Sequence, residues 1–154
     1  MEGRKILSVR DLKVEFRVRG RTLSAIRGIS LDFYEGESVA IVGESGSGKT
    51  TTGRSIIGLY DISGGEIFFR GEKLRWKGAP RQFKKEIQMI FQDPMASLNE
   101  RAKVDYIVSE GLYNHHLYKD EKDRQDKVKR ALEEVGLLPE FSSRFPHEFS
   151  GGQR

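Results

Sequence analysis

The chain has 154 residues, 36% hydrophobic and 32% charged, with a mean hydropathy of -0.57, which predicts one globular domain or a part of one. Its longest apolar run is Val39 to Val42, and Met1 to Val9 sets Glu2, Arg4 and Lys5 ahead of too short an apolar stretch, so neither a membrane span nor a secretory signal is expected. With no cysteine there is no disulfide framework, no thiolate metal site and no cysteine nucleophile, and nothing marks an oxidising compartment.

In chain order, Ile6 to Phe16 reads as a strand interrupted by Arg and Lys, and Ile29-Leu31-Phe33 alternates with polar residues as a second strand. Ser38 to Val42 is a short, nearly continuous apolar run ending at Gly43, the pattern of a buried parallel strand. Thr50 to Leu59 predicts a helix, and Glu66 to Phe69 and Ile87 to Phe91 predict further strands. The formal charge is +4, and the excess lies between Arg70 and Lys85, where seven basic residues meet one acidic. Such a run can meet nucleic acid or anionic headgroups, but its only aromatics are Trp76 and Phe83 and no nucleic-acid motif follows, so a solvated surface is expected. From about Val104 the period becomes helical. Val104, Ile107, Val108 and Leu112 form one stripe, Val128, Ala131, Leu132 and Val135 another, and both read as core packing. Gly136 and Pro139 end the second helix, and Pro80, Pro94, Pro139 and Pro146 mark turns or loops. His115, His116 and His147 read as surface or packing residues.

Gly43-Glu44-Ser45-Gly46-Ser47-Gly48-Lys49-Thr50 fits G-x-x-x-x-G-K-[ST] at every fixed position, between the strand and the helix that the motif requires. A triphosphate packs several negative charges into a small volume. Glycines let the backbone curl until successive N–H groups point inward as an anion nest, and the helix N-terminus adds its unpaired N–H groups. Lys49 then reaches the β and γ phosphates, the Thr50 hydroxyl completes the shell of Mg²⁺, and Thr51 is placed for the α-phosphate. Near the other end stands Phe149-Ser150-Gly151-Gly152-Gln153, which alone reads as a turn or as a helix capped by Ser150.

Together with Gln92, at the end of the predicted strand Ile87 to Phe91, these motifs resemble in order those of the ATP-binding subunits of ATP-binding cassette (ABC) transporters. Gly43 to Thr50 looks like that family's Walker A loop, Gln92 like its Q-loop glutamine, and Phe149 to Gln153 like its signature motif, with Phe149 where leucine is commonest. Phe16 lies where the family places an aromatic that stacks on adenine, against the alternative of a strand residue facing the core. Gln92-Asp93-Pro94, Ser97-Leu98-Asn99 and Phe145-Pro146-His147-Glu148-Phe149 are similar to the oligopeptide and dipeptide importer branch. Glu100, where that branch often has proline, and Asp61-Ile62-Ser63, where it often has Pro-Thr-Ser, depart from its pattern outside the phosphate contacts.

The resemblance implies an α/β fold, a partial P-loop NTPase of the ABC cassette type. Residues 1–92 would be a β-rich nucleotide-binding part: an antiparallel β subdomain with the phosphate-loop strand and helix. Residues 93–149 would be a helical subdomain and 150–154 the start of the signature helix, with the remainder of the cassette absent. It implies ATP and Mg²⁺ as cofactors, with Thr50 and Gln92 serving the metal and Lys49 and Gln92 the chemistry. Ser150, Gly151, Gly152 and Gln153 would cover ATP held by a second ATP-binding subunit, and Gln92 would relay nucleotide state to a helical segment docked on transmembrane permease subunits, which a solute-binding protein supplies. The expected location is the cytoplasmic face of the cell membrane, as a peripheral protein. The alternatives are a soluble ABC-type ATPase acting on nucleic acid or ribosomes and a nucleotide-binding fragment without turnover. The family's Walker B aspartate and catalytic glutamate come after the signature. They are not among these residues, so negligible hydrolysis is expected of the chain as given and an efficient ATPase of the complete protein.

Overall fold

Arg19-Gly20 and Arg70-Gly71 each put two successive residues at positive φ, 50° and 77° in the first pair and 49° and 87° in the second. That backbone closes a two-residue hairpin whose twist matches its strands. In the computed structural model, which describes residues 3–75, 81–93 and 97–150, the first pair joins β1 (Lys5–Val18) to β2 (Arg21–Tyr34) and the second joins β3 (Gly64–Phe69) to β4 (Glu72–Lys73). The four strands form one antiparallel sheet in the order β2-β1-β3-β4.

A bulge sets which side chains β1 sends inward. Val9 pairs with Leu31 and Leu12 with Ile29, so Arg10 and Asp11 together oppose Ser30 alone. The extra residue re-phases the two-residue alternation: Leu7 and Val9 face the core before the bulge, and Leu12 and Val14 after it. Asp11 takes φ 45°, its N–H donates to Ser30 Oγ at 3.0 Å, and Gly65 approaches so closely that a Cβ there would lie 2.3 Å from the Asp11 carbonyl oxygen. Leu7, Val9, Leu12, Val14, Ile26, Ile56 and Ile67 form the core of this first unit, ringed by half-buried residues that include Phe16, Phe33 and Ile87.

Ile56 reaches that core from α1 (Lys49–Ile56). The helix stops three residues short of the expected Leu59 because Gly58 turns left-handed, at φ 76°. The Gly58 and Leu59 N–H groups then close on the Ser55 and Arg54 carbonyls at 3.1 and 2.8 Å. In the basic stretch Arg70 pairs with Glu86 of α2 (Arg81–Glu86) at 2.7 Å and Lys73 pairs with Glu66. Trp76, Pro80 and Pro94, together with the side chain of Phe83, lie outside the described residues.

Two expected strands are not found. Neither Ser38 to Val42 nor Ile87 to Phe91 carries a strand ladder, and Val42 is 90% and Ile90 99% exposed. A strand is defined by hydrogen bonds to a neighbour, and none of the four described strands pairs with either segment. Apolar character alone cannot supply that ladder.

The described residues divide into two compact units, the first running to Met89 and the second starting at Ile90. In the second, α3 (Val104–His115) and α4 (Glu121–Glu134) occupy the two expected helical stretches. Asp120 caps α4 by accepting from the Asp123 N–H at 2.8 Å, and Gly136, at φ 76°, ends it. The joint between the helices is a buried arginine. Arg124, 4% exposed, donates to Asp105 at 2.9 Å, to Ser109, and through Nε and Nη2 to both oxygens of Glu121 at 3.0 and 2.6 Å. Its guanidinium also lies 5.8 Å from the centre of the Tyr113 ring. Among the described residues no helix is long and apolar enough to cross a membrane.

The hydrogen bond from Arg124, followed by that from Gln125, holds the Glu121 carboxyl down to about 2 from the usual 4.5. A lowered carboxyl adds stability above its ordinary range and loses it as the pH falls through its folded value, so this contribution fades between about pH 4.5 and pH 2. Arg124→Met is expected to cost about 2 kcal/mol by urea denaturation at pH 7, through hydrogen bonds lost from a charged group. It should also shrink the loss of stability on acidification.

Candidate functional site

The loop from Gly43 to Gly48 is shaped by its glycines. Gly46 and Gly48 sit at φ 81° and 92°, and a Cβ on Gly43 would come within 2.7 Å of Ser47 Oγ. Gly48 is the N-cap of α1, with no side chain to cap it and no acidic residue in the first turn. The first N–H groups of a helix have no intrahelical acceptor, and here they belong to Lys49, Thr50 and Thr51, at the positive end of the dipole. Thr52 secures the start, its N–H and hydroxyl both donating to the Gly48 carbonyl at 2.8 and 2.9 Å. The Ser47 N–H closes a turn on the Glu44 carbonyl at 3.2 Å.

Lys49 folds back over the loop. Its ammonium donates to the carbonyls of Gly43 and Glu44, each at 2.7 Å, and reaches Ser47 Oγ at 3.4 Å. The charge therefore sits within the loop curve. Gly43 to Ser47, Ser45 included, are exposed, so the curve is open to a ligand. The open glycine-rich curve, the helix dipole and the held ammonium form an arrangement suited to a polyphosphate. The exposed Thr50 hydroxyl is a hard oxygen donor. One such donor fits Mg²⁺, which keeps waters and takes its other ligands from substrate phosphates. Among the described residues no cluster of three or more His, Cys, Asp or Glu side chains offers a separate metal site.

The remaining expected site residues are placed within their own units. Phe16 is half-buried against the core, its ring edge-on to Tyr60 at 5.2 Å and 84°. Tyr60 in turn accepts a hydrogen bond from Arg54 at 2.8 Å, a grouping that the sequence reading missed because nothing in the spacing of Phe16, Arg54 and Tyr60 signals it. Gln92, in the second unit, is exposed and lies at a bend rather than at the end of a strand. Ser150 is exposed and follows the buried Phe149, whereas Gly151, Gly152 and Gln153 lie outside the described residues.

A family model described as ABC transporter matches residues 26–154. The chain belongs to the ABC transporter family. Within that family it is 53% identical over 153 residues to the oligopeptide transport ATP-binding protein AmiF of Streptococcus pneumoniae. It is 48% identical to the oligopeptide transport ATP-binding protein OppF of Bacillus subtilis and 49% identical to the dipeptide transport ATP-binding protein DppF of Lactococcus lactis. These alignments take in 97% to 99% of the chain, which spans about half the length of the curated relatives it matches. Among solved structures it resembles a dimeric bacterial ABC transporter cassette and the dimeric post-hydrolysis state of an ATP-binding cassette bound to ADP and Pi. Each has a TM-score of 0.77 at 22% identity, over 96% of this chain and 65% of that one. The fold is a partial ABC cassette of α/β class, as expected.

The loop geometry makes Gly48→Ala a sharp test. It would force a Cβ into a left-handed position and to 3.1 Å from the Ala25 carbonyl oxygen, so a loss of about 1–2 kcal/mol is expected by thermal or denaturant unfolding. Gly20→Ala, with nothing within 4 Å of its Cβ, should show only the smaller backbone cost.

Proposed function

We propose that the chain works as part of an ATP-binding, energy-coupling subunit of an ABC importer for oligopeptides or dipeptides. The observation that carries this reading is its 48% to 53% identity, over nearly its whole length, to proteins named for peptide transport and ATP binding. The loop supports the nucleotide half of the reading, because a helix N-terminus and the Lys49 ammonium meet at one open curve.

In this proposal Gly43, Glu44, Ser45, Gly46, Ser47 and Gly48 wrap the phosphates with backbone groups, and Lys49 turns from the Gly43 and Glu44 carbonyls to the β and γ oxygens. Thr50 holds Mg²⁺ and Thr51 meets the α-phosphate, while Phe16 faces adenine. Mg²⁺, when bound, would be held by Thr50 and would supply neutralisation of the phosphate charge. Gln92 serves the metal or the attacking water. Ser150, with Gly151, Gly152 and Gln153, covers nucleotide held by a second ATP-binding subunit, because a hydroxyl and bare N–H groups approach a phosphate closely. Residues 1–92 form the nucleotide-binding part, 93–149 the helical subdomain that docks on permease subunits, and 150–154 begin the signature helix. The protein works at the cytoplasmic face of the membrane, with a solute-binding protein as an indirect partner.

The curated relatives are about twice as long as the chain. In the complete protein the strands that flank Ser38 to Val42 and Ile87 to Phe91, and the carboxylates that position water, come from that additional length. Lys49→Ala is expected to weaken binding of a fluorescent ATP analogue at least tenfold, and Lys73→Ala, at the ion pair with Glu66, less than twofold. Equal effects of the two substitutions would remove the assignment of the loop.

A further inference from the structure

Ser150 follows a segment tied down at several points. Two single 3-10 turns, Pro139–Ser143 and Pro146–Glu148, lead up to it, and turns that short have few bonds of their own and depend on external ties. The Val104 N–H donates to the Arg144 carbonyl at 2.9 Å, tying the segment to the start of α3. Arg144 stacks its guanidinium 4.1 Å from the centre of the Phe141 ring. Phe141 meets Phe149 edge to face, at 5.5 Å and 87°. Phe149 is 6% exposed and Pro146 is fully buried.

Glu148 closes the last turn upon itself. Its carboxylate accepts from the Phe145 N–H at 2.6 Å, and its own N–H donates to the Phe145 carbonyl at 3.0 Å. This reciprocal ring fixes Phe145 to Glu148 as one piece, and the short contact to an ionised acceptor is the strong kind. Ser150 is one peptide unit beyond Phe149, so its Cα lies about 3.8 Å from an anchored one, and the direction of that step is set by the ring and the aromatic pair.

We propose that Glu148 is a positioning residue for Ser150: its closure of the Phe145 to Glu148 turn, with the Arg144-Phe141-Phe149 stack, aims Ser150 at the nucleotide phosphate held by a partner subunit. This rests on the role given to Ser150 above. An exposed carboxylate is otherwise a poor choice beside a phosphate-binding serine, because an unengaged negative charge repels the ligand, whereas one bound to a backbone N–H is partly neutralised. The placement matters because misplacing a catalytic group by about 1 Å can cost on the order of a hundredfold in rate.

The test uses the full-length protein assembled with its permease and ATP-binding partners in vesicles. The readouts are kcat, KM for ATP, binding of a fluorescent ATP analogue, and the melting curve. Glu148→Ala is expected to lower kcat about tenfold, because Ser150 loses its fixed direction and a misplaced group forfeits rate. Analogue binding to the full-length subunit before assembly, which reports its own loop, should stay within twofold. Glu148→Gln keeps an acceptor oxygen for the Phe145 N–H and should recover most of the loss. Arg144→Met leaves the turn intact while uncovering Phe141, and should lower kcat about threefold, which keeps the test decisive where Glu148→Ala fails to assemble. The inference is overturned if Ser150→Ala lowers kcat more than tenfold while Glu148→Ala and Arg144→Met both stay within twofold, or if Glu148→Gln is as impaired as Glu148→Ala. A Ser150→Ala protein of normal kcat removes the role of Ser150 and the inference with it, and a Lys49→Ala protein of normal turnover removes the ATPase reading itself.

Discussion

The first unit depends on one extra residue in its longest shared strand. β1 pairs with β2 on one side and β3 on the other, so any error of phase in β1 would be felt in both ladders. Because Arg10 and Asp11 share the space opposite Ser30, Leu7 and Val9 point the same way as Leu12 and Val14, and a single core serves both halves of the strand. Gly65 is part of the same constraint, since no side chain could stand against the Asp11 carbonyl where β3 begins. The phosphate loop benefits at one remove: α1 is seated by Ile56 on that core, and Gly48 at its start packs against the backbone of Ala25 in β2.

The second unit solves a different problem. Val104, Ile107 and Val108 of α3 and Ala131 and Leu132 of α4 line one apolar groove, and Arg124 adds to that non-directional contact a hub of directed bonds. Asp105 and Ser109 on α3 and Glu121 on α4 converge on one guanidinium, which fixes the rotation of each helix as well as their contact. Its carboxylate partners keep some access to water, so the desolvation cost falls chiefly on the arginine, whose planar fork suits it to such a position.

The sequence made legible what is chemically forced and local. Glycine at fixed places followed by lysine and a hydroxyl marks a tight loop leading into a helix, and Gly43 to Thr50 is found at the head of α1. The stripes around Val104 and Val128 become α3 and α4 because a period near 3.6 has few other uses. Ser38 to Val42 and Ile87 to Phe91 misled for the opposite reason: their apolar pattern is present, but a strand requires a distant partner, which no local pattern records. The bulge at Arg10 and Asp11 was hidden within an apparently continuous strand, and Arg124 looked like any surface charge beside its neighbours in the heavily charged run from Asp120 to Arg130. Glu121 three residues ahead of it was the only local hint.

The clasp of Lys49 on its own loop bears on how a polyphosphate would arrive. A free lysine carries roughly 2 kcal/mol of rotamer entropy that a ligand must overcome when it orders the chain. Here the side chain is already directed inward by the Gly43 and Glu44 carbonyls, so binding becomes an exchange of acceptors, carbonyl for phosphate oxygen, by an ammonium that need move only a short way. Folding has already restricted the chain, and the ligand meets a cation whose direction is set. On this view the Gly43 and Glu44 carbonyls act as a docking position for the lysine.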